Sequence, residues 1–297
     1  MAKGKAQENH KLFVVKANDL IRKTRYSLTT QQQKILLYAI SKIKREDPPE
    51  TEYEINLEEL CEACGIEIDQ TGGYYYIAIK QDLLKLVNSN MWVKMPDNSE
   101  VTVSWLSEAA IIPLCGTVYV RFHRRLAPYL FELKEQYTQY RLENVLVFKG
   151  KYTIRLYELL RSYTTQKAID AGQEKEVMFS VDNLRNLLMC PNYPRWVDFD
   201  RFVLREAVKE INESNEEMCI TYDTYRTGRT ITQVNFIIGT ARVKQMLQAR
   251  MKKRQRLEGD KWNIPGEQMK MDINAGYEAD KPKKRGRPKK QPQASDL

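Results

Sequence analysis

Two stretches of this chain repeat one pattern in the same order, and that repetition limits the fold more than any other feature. Ile35-Leu36-Leu37-Tyr38-Ala39-Ile40 and Ile154-Arg155-Leu156-Tyr157-Glu158-Leu159 both read Ile-x-Leu-Tyr-x-aliphatic within an amphipathic helical period. Next, Ile55-Asn56-Leu57-Glu58-Glu59-Leu60 and Phe179-Ser180-Val181-Asp182-Asn183-Leu184 each carry a short strand into a helix. The entry is a polar cap, Asn56 or Ser180, with acids in the first turn. A second helix follows in each copy, 74–88 and 199–212, then a strand pair: 91–95 with 101–112, and 218–225 with 231–238. Matched positions lie 119, 124 and then 127 residues apart, a slow drift that keeps its order. Any two mixed domains show helix, helix, strand, strand; the shared signature and ordered drift argue for duplication instead.

Helix, short strand, helix, helix and hairpin, in that order, is a winged helix. The expected fold class is α+β: two tandem winged-helix domains related by internal duplication, plus a disordered basic C-terminal tail. The reading divides the chain into a flexible 1–11, a first domain 12–131, and a linker helix with the second domain over 132–240. A basic helix-like extension, 241–257, and the tail, 258–297, follow. The second wing turns at Thr227-Gly228-Arg229-Thr230. The first is longer, with Pro96-Asp97-Asn98-Ser99 at its tip and an added strand over 118–122. Leu133, Tyr137, Tyr140 and Leu142 recur at spacings that predict an ordered helix within 132–150.

Charge is unevenly placed. Of 48 Lys+Arg and 39 Asp+Glu, 16 and 7 fall after residue 240, so the preceding 32 and 32 cancel and the whole excess of +9 belongs to the C-terminal segment. A basic tail points to a polyanionic partner. The tail carries Lys281-Pro282-Lys283-Lys284-Arg285-Gly286-Arg287-Pro288-Lys289-Lys290, which resembles an AT-hook. Gly286 would let the backbone lie deep in a narrow A·T minor groove while Arg285 and Arg287 reach along its floor. A generic solubilising tail is the plainer alternative. No apolar run is long enough to span a bilayer, so no membrane partner is expected. The first ten residues lack an apolar core, so no secretory signal is expected either, and five unpatterned cysteines fit a reducing cytoplasm.

In a winged helix the second helix of the helix-turn-helix enters the major groove. On 199–212, Leu204, Ala207, Val208 and Ile211 make a core face, with Arg201, Arg205, Lys209 and Asn212 beside it. Arg205 suits a guanine edge, Arg201 and Lys209 suit phosphates, and Arg195 lies just upstream. Ion pairs with neighbouring glutamates are the competing use of Arg205 and Lys209. On 74–88 the face opposite the core holds Tyr74, Gln81 and Lys85; Gln81 suits adenine, and a merely solvated face explains it equally well. Arg226 and Arg229 belong to the second wing, while Arg121, Arg124 and Arg125 cluster after the first.

Catalytic chemistry is poorly supplied. Cys61-x-x-Cys64 has no second ligand pair, and the chain has two histidines, His10 and His123, so no metal is expected. Gly150-Lys151-Tyr152 lacks the rest of a phosphate loop, and no nucleotide or other cofactor is expected. A DNA-nicking enzyme of the rolling-circle type would pair a tyrosine with a His-hydrophobe-His metal site that is absent here. No catalytic residue is assigned and the chain is not expected to be an enzyme.

The order of motifs resembles the initiator replication protein family of iteron-bearing, theta-replicating plasmids. The carrying residues are Val14-Val15-Lys16-Ala17-Asn18-Asp19-Leu20-Ile21, Leu28-Thr29, Gln33-Lys34-Ile35-Leu36 and Tyr152-Thr153-Ile154-Arg155-Leu156-Tyr157-Glu158-Leu159-Leu160. Phe202, Val203-Leu204, Ala207, Glu210-Ile211-Asn212, Gly228-Arg229 and Val234-Asn235-Phe236-Ile237-Ile238 complete them. The resemblance covers about residues 12–239. It implies monomers on direct repeats of double-stranded DNA at an origin, opening of an adjacent A·T-rich tract, and recruitment of the host replication initiator and helicase-loading proteins. It also implies homodimers that repress their own gene. Its DNA-contacting helix matches 199–212, which carries Arg201, Arg205 and Lys209. The AT-hook tail is not typical of the family. A tandem winged-helix transcription repressor remains the alternative within the same binding class.

Overall fold

The computed structural model describes residues 12–68, 74–112, 115–214 and 217–239. Strand β1 (Phe13–Ala17) leads directly into α1 (Asn18–Lys23), and α2 (Thr30–Ile40) follows. Helix α2 begins at a reciprocal capping box, with the Thr29 side chain accepting from Gln32 N–H and the Gln32 side chain accepting from Thr29 N–H. Then come β2 (Glu52–Asn56), α3 (Leu57–Cys64) and α4 (Tyr74–Asn88). Two hairpins follow, β3 (Met91–Lys94) with β4 (Glu100–Val103), and β5 (Leu106–Ile112) with β6 (Thr117–Phe122).

A 3₁₀ turn at Arg124–Leu126, α5 (Ala127–Leu130), β7 (Tyr137–Arg141) and α6 (Glu143–Leu146) lead to α7 (Lys151–Arg161) and α8 (Gln166–Asp170). The second copy continues with β8 (Lys175–Ser180), α9 (Val181–Leu188) and α10 (Trp196–Phe199). A π-helical turn at Asp200–Leu204, α11 (Arg205–Ser214), β9 (Cys219–Thr227) and β10 (Thr230–Gly239) complete the described fold.

The duplication is visible in the sheets. In the first copy the strand order is β2-β6-β5, in the second β8-β10-β9: each opening strand pairs with the last strand of its wing. Both opening strands end on a cap, the Asn56 side chain accepting from Glu59 N–H and the Ser180 side chain from Asn183 N–H. Both following helices close on a left-handed residue, Gly65 at φ 68° and Met189 at φ 51°. Two winged-helix domains in tandem are therefore the architecture.

Three local expectations are corrected. The wing of the first copy is β5–β6, not 91–95 with 101–112. Ile55 faces Val118 as Phe179 faces Val234, so wing positions lie 116 residues apart where the opening strands lie 124 apart. The shorter offset reflects β3–β4, a separate two-stranded sheet inserted ahead of the first wing, with Pro96-Asp97-Asn98-Ser99 at its turn. Second, the helix expected within 132–150 is mainly strand β7, antiparallel to β1, with only the one-turn α6 after it. Thr138 and Tyr140 point inward while Tyr137, Gln139 and Arg141 point outward, a period of two. Third, the helix expected over 199–212 runs from Trp196 to Ser214 and is interrupted by the π turn.

The core is continuous across both copies, and α7 lies in the middle of it. Every residue from Thr153 to Ser162 is buried. One side of α7 meets α9 and α11 of its own copy, the other meets α1 and α2. The extensions at 1–11 and 240–297 lie outside the described residues.

Candidate nucleic-acid interface

Helix run 196–214 is built by Phe199, Val203, Leu204, Ala207, Val208 and Ile211, all buried. That face fixes the opposite one in solvent. Arg201, Arg205 and Lys209 are exposed there, together with Phe202, over whose ring the Arg201 guanidinium sits at 5.1 Å. Arg205 is not free. Its Nε and Nη2 donate to Asp200 Oδ2 at 2.7 and 2.6 Å, and the other carboxylate oxygen accepts the Tyr222 hydroxyl. Hydrogen bonding to Asp200 raises the already high Arg205 pKa further, while burial and the Asp200 bond push the Tyr222 phenol above its usual range. Lys209 borders a cleft of about 390 Å³ that Lys149, Gly150, Phe202, Glu206 and Glu213 also line.

The other expected residues separate into two groups. Arg226 and Arg229 are exposed on the second wing, on either side of Gly228, whose φ of 62° makes the turn. Arg195 is exposed and paired with Asp198 at 2.6 Å. Asn212 is committed elsewhere: its amide donates to Ile220 O at 2.8 Å and accepts from Ile220 N–H at 2.7 Å, tying α11 to β9.

In the first copy, α4 starts at Tyr74 and exposes Gln81 and Lys85, but Ile77 and Leu84 share that surface at 51% and 61% exposure. Arg121 bridges Glu52 and Glu108 at 3.2 and 3.3 Å across its own sheet, and Arg124 pairs with Glu50 at 3.3 Å. Arg125 is exposed. All three sit where β6 ends, opposite the wing tip, because β6 runs from Thr117 at the tip to Phe122. The expected first-copy cluster is thus not a wing-tip cluster. Arg285, Gly286 and Arg287 lie outside the described residues. Cys61 and Cys64 are both buried in α3, and burial pushes their thiols up to about 11 and about 12. Among the described residues no group of three or more His, Cys, Asp or Glu is placed to hold a metal, and no helix is long and apolar enough to cross a membrane.

Sequence reasoning missed Asp200 and Tyr222, because an acid five residues before an arginine is no pair in a regular α-helix. It also missed the role of Glu210, whose carboxylate accepts from Lys149 N–H, Gly150 N–H and the Thr153 hydroxyl at the start of α7.

The surface thus assembled, one arginine-bearing helix and one arginine-bearing wing on the second of two like domains, has relatives among known proteins. Residues 13–161 match the family model described as initiator replication protein, first winged helix, and residues 180–238 match its second winged helix. A replication initiation protein of Escherichia coli is 26% identical over 228 residues, spanning 75% of this chain and 69% of that one. A crystal structure of the Pi initiator protein in complex with iteron DNA superposes with a TM-score of 0.63 at 21% identity, covering 78% of this chain and 98% of that one. With both domain models matched in order over most of its length, this chain belongs to the initiator replication protein family.

Proposed function

We propose that this protein starts plasmid replication by binding repeated double-stranded DNA sites at the origin, with 196–214 in a major groove and the second wing on the backbone. The observation that carries the reading is the second domain's solvent face: Arg201, Arg205 and Lys209 on the helix, Arg226 and Arg229 on the wing. Arg201 and Lys209 act as phosphate contacts, Arg205 as a base contact. Binding needs neither metal nor nucleotide, and no strand is cut. The exposed Gln81 and Lys85 of α4 make weaker contacts from the first domain, with Arg124 and Arg125 available to a neighbouring phosphate. Opening of an A·T-rich tract, recruitment of host initiator and helicase-loading proteins, homodimers that repress the gene, and a cytoplasmic location complete the proposal. They are supported by the family alone.

Gel shifts on the DNA flanking the gene, with EDTA and without ATP, test the core of it. Specific shifts are expected on fragments with direct repeats. Arg201→Ala and Lys209→Ala are expected to weaken all sequences alike and to lower the salt slope by about one each. Loss of specific binding in EDTA, or unchanged affinity in both variants, would overturn the reading.

The Arg285-Gly286-Arg287 segment is proposed to hold an A·T-rich flank through the minor groove. Truncation after Asp280 should leave the repeat footprint unchanged and reduce affinity more for probes with an A·T-rich flank than for probes without one, most strongly at low salt. Equal loss on both probes refutes the hook.

A further inference from the structure

Arg205 is the most constrained cation on the proposed recognition face, and the constraint comes from a distortion of the helix. In a regular α-helix residues five apart point about 140° away from each other. Asp200 and Arg205 are five apart, yet they form an ion pair of 2.6 Å. The π turn at Asp200–Leu204 holds an extra residue per turn and brings the two onto one side. The same turn takes up the overshoot of about 40° per four residues that would otherwise swing Arg205 away from Arg201.

The carboxylate is itself fixed. Asp200 is 6% exposed, and Tyr222 on β9 donates its hydroxyl to Oδ1 at 2.5 Å while Oδ2 takes two guanidinium donors. Two of the five N–H donors of Arg205 are engaged in this way, and the side chain is still 53% exposed. A guanidinium held like this has lost its rotamer freedom before DNA arrives and has its charge offset. It therefore gains little from diffuse attraction to phosphates and much from a directional acceptor pair. Guanine offers that pair in the major groove, O6 beside N7.

We infer that Asp200 and Tyr222 are positioning residues that hold Arg205 as a guanine reader. The inference rests on 196–214 being the helix that enters the major groove. Arg201 lies over an exposed ring and Lys209 is exposed, and among the described residues neither has such an ion-pair support.

In vitro selection from a randomised duplex pool by the full-length protein supplies the test, since the pool itself reveals the preferred site. Wild type should enrich a motif with one guanine that Arg205→Ala and Arg205→Lys no longer select. Asp200→Asn and Tyr222→Phe should enrich the same motif with preference at that guanine reduced about tenfold for Asp200→Asn and less for Tyr222→Phe. Asp200→Asn should bind non-specific duplex more tightly than wild type, because a charge is released. A merely structural defect would weaken every position and every duplex. Replacing that guanine by 7-deazaguanine should lower wild-type affinity and leave Arg205→Ala unaffected. If Arg205→Ala loses the guanine but Asp200→Asn and Tyr222→Phe keep it in full, positioning is refuted and the proposed function stands. If wild type enriches no motif, the proposed function itself fails. Should Asp200→Asn not fold, Tyr222→Phe, which keeps the ion pair, decides the matter through the same guanine.

Discussion

Glu158 shows what a single residue can be asked to do in this protein. It is 1% exposed, pairs with the equally buried Lys16 and accepts the Tyr140 hydroxyl, so three polar side chains from α7, β1 and β7 satisfy one another away from water. Removing one partner leaves the others buried and unmatched, which costs about 3–5 kcal/mol. Glu158→Gln is expected to lower unfolding free energy by about that amount in urea titrations, and a loss under about 1 kcal/mol would contradict it. Burial also pushes the Tyr140 phenol well above its usual range, and Tyr26 likewise. The folded state then keeps protons that the unfolded chain releases above about pH 10. This stability is fully present below that pH and is lost as pH rises through it. Lys16, lowered by burial, works with the opposite sign on the acid side of the ordinary lysine value. The urea midpoint should fall above about pH 10 and fall less in Tyr140→Phe; identical profiles would show that Tyr140 does not carry the effect. The caps Asn56 and Ser180 were legible in the sequence because a cap and its helix are neighbours in the chain. The partners of Glu158 and Arg205 come from other elements or from a distorted turn, and no local pattern encodes them.

At the scale of elements, α7 depends on a helix from beyond its own end. Its first residues follow Gly150, which has no side chain to cap them, and Glu210 on α11 supplies both carboxylate oxygens instead, 3.1 Å from Gly150 N. A Cβ at Gly150 would collide with the Thr153 hydroxyl and stand 3.0 Å from that carboxylate. Glu210→Gln should cost about 1–2 kcal/mol and Gly150→Ala a similar amount. The double variant should lose less than the sum, since both act on one cap. Additivity within about 0.3 kcal/mol in urea midpoints would show two independent effects. Strand β7 teaches the converse lesson. Leu133, Tyr137 and Tyr140 fit a helical spacing, and 137–141 nevertheless alternates outward and inward as a strand. Pairing with β1, far away in the chain, decides between the periods by supplying the ladder.

Over the whole molecule, α7 makes two domains behave as one body. Arg155 donates to the carbonyl oxygens of Ile21 and Thr24 at 2.8 and 2.7 Å, and Arg22 returns a bond to Ser162 Oγ at 3.0 Å. The first family model accordingly runs to residue 161, although α7 is by repetition the opening helix of the second copy. Calorimetry of the full chain should show one cooperative transition, because neither copy can unfold without uncovering α7. Two resolved transitions would refute this. A fixed body also fixes the distance between the two domains' solvent faces, which suits contact with one stretch of duplex.

Duplication, the cap positions, the core faces of the helices and the basic face of 199–212 are determined by the sequence itself. Each rests on periodicity or on contacts within a few residues, where chain neighbours are spatial neighbours. Tertiary structure alone decided the wing of the first copy, the strand at 137–141, the burial of Glu158 and the partner of Arg205. In the wing, the inserted hairpin β3–β4 has the same alternating pattern as a true wing, and only pairing with β2 identifies β5–β6. At Arg205, one extra residue in a turn changes which side chains meet, and the energy that tolerates that turn comes from a core assembled by both copies.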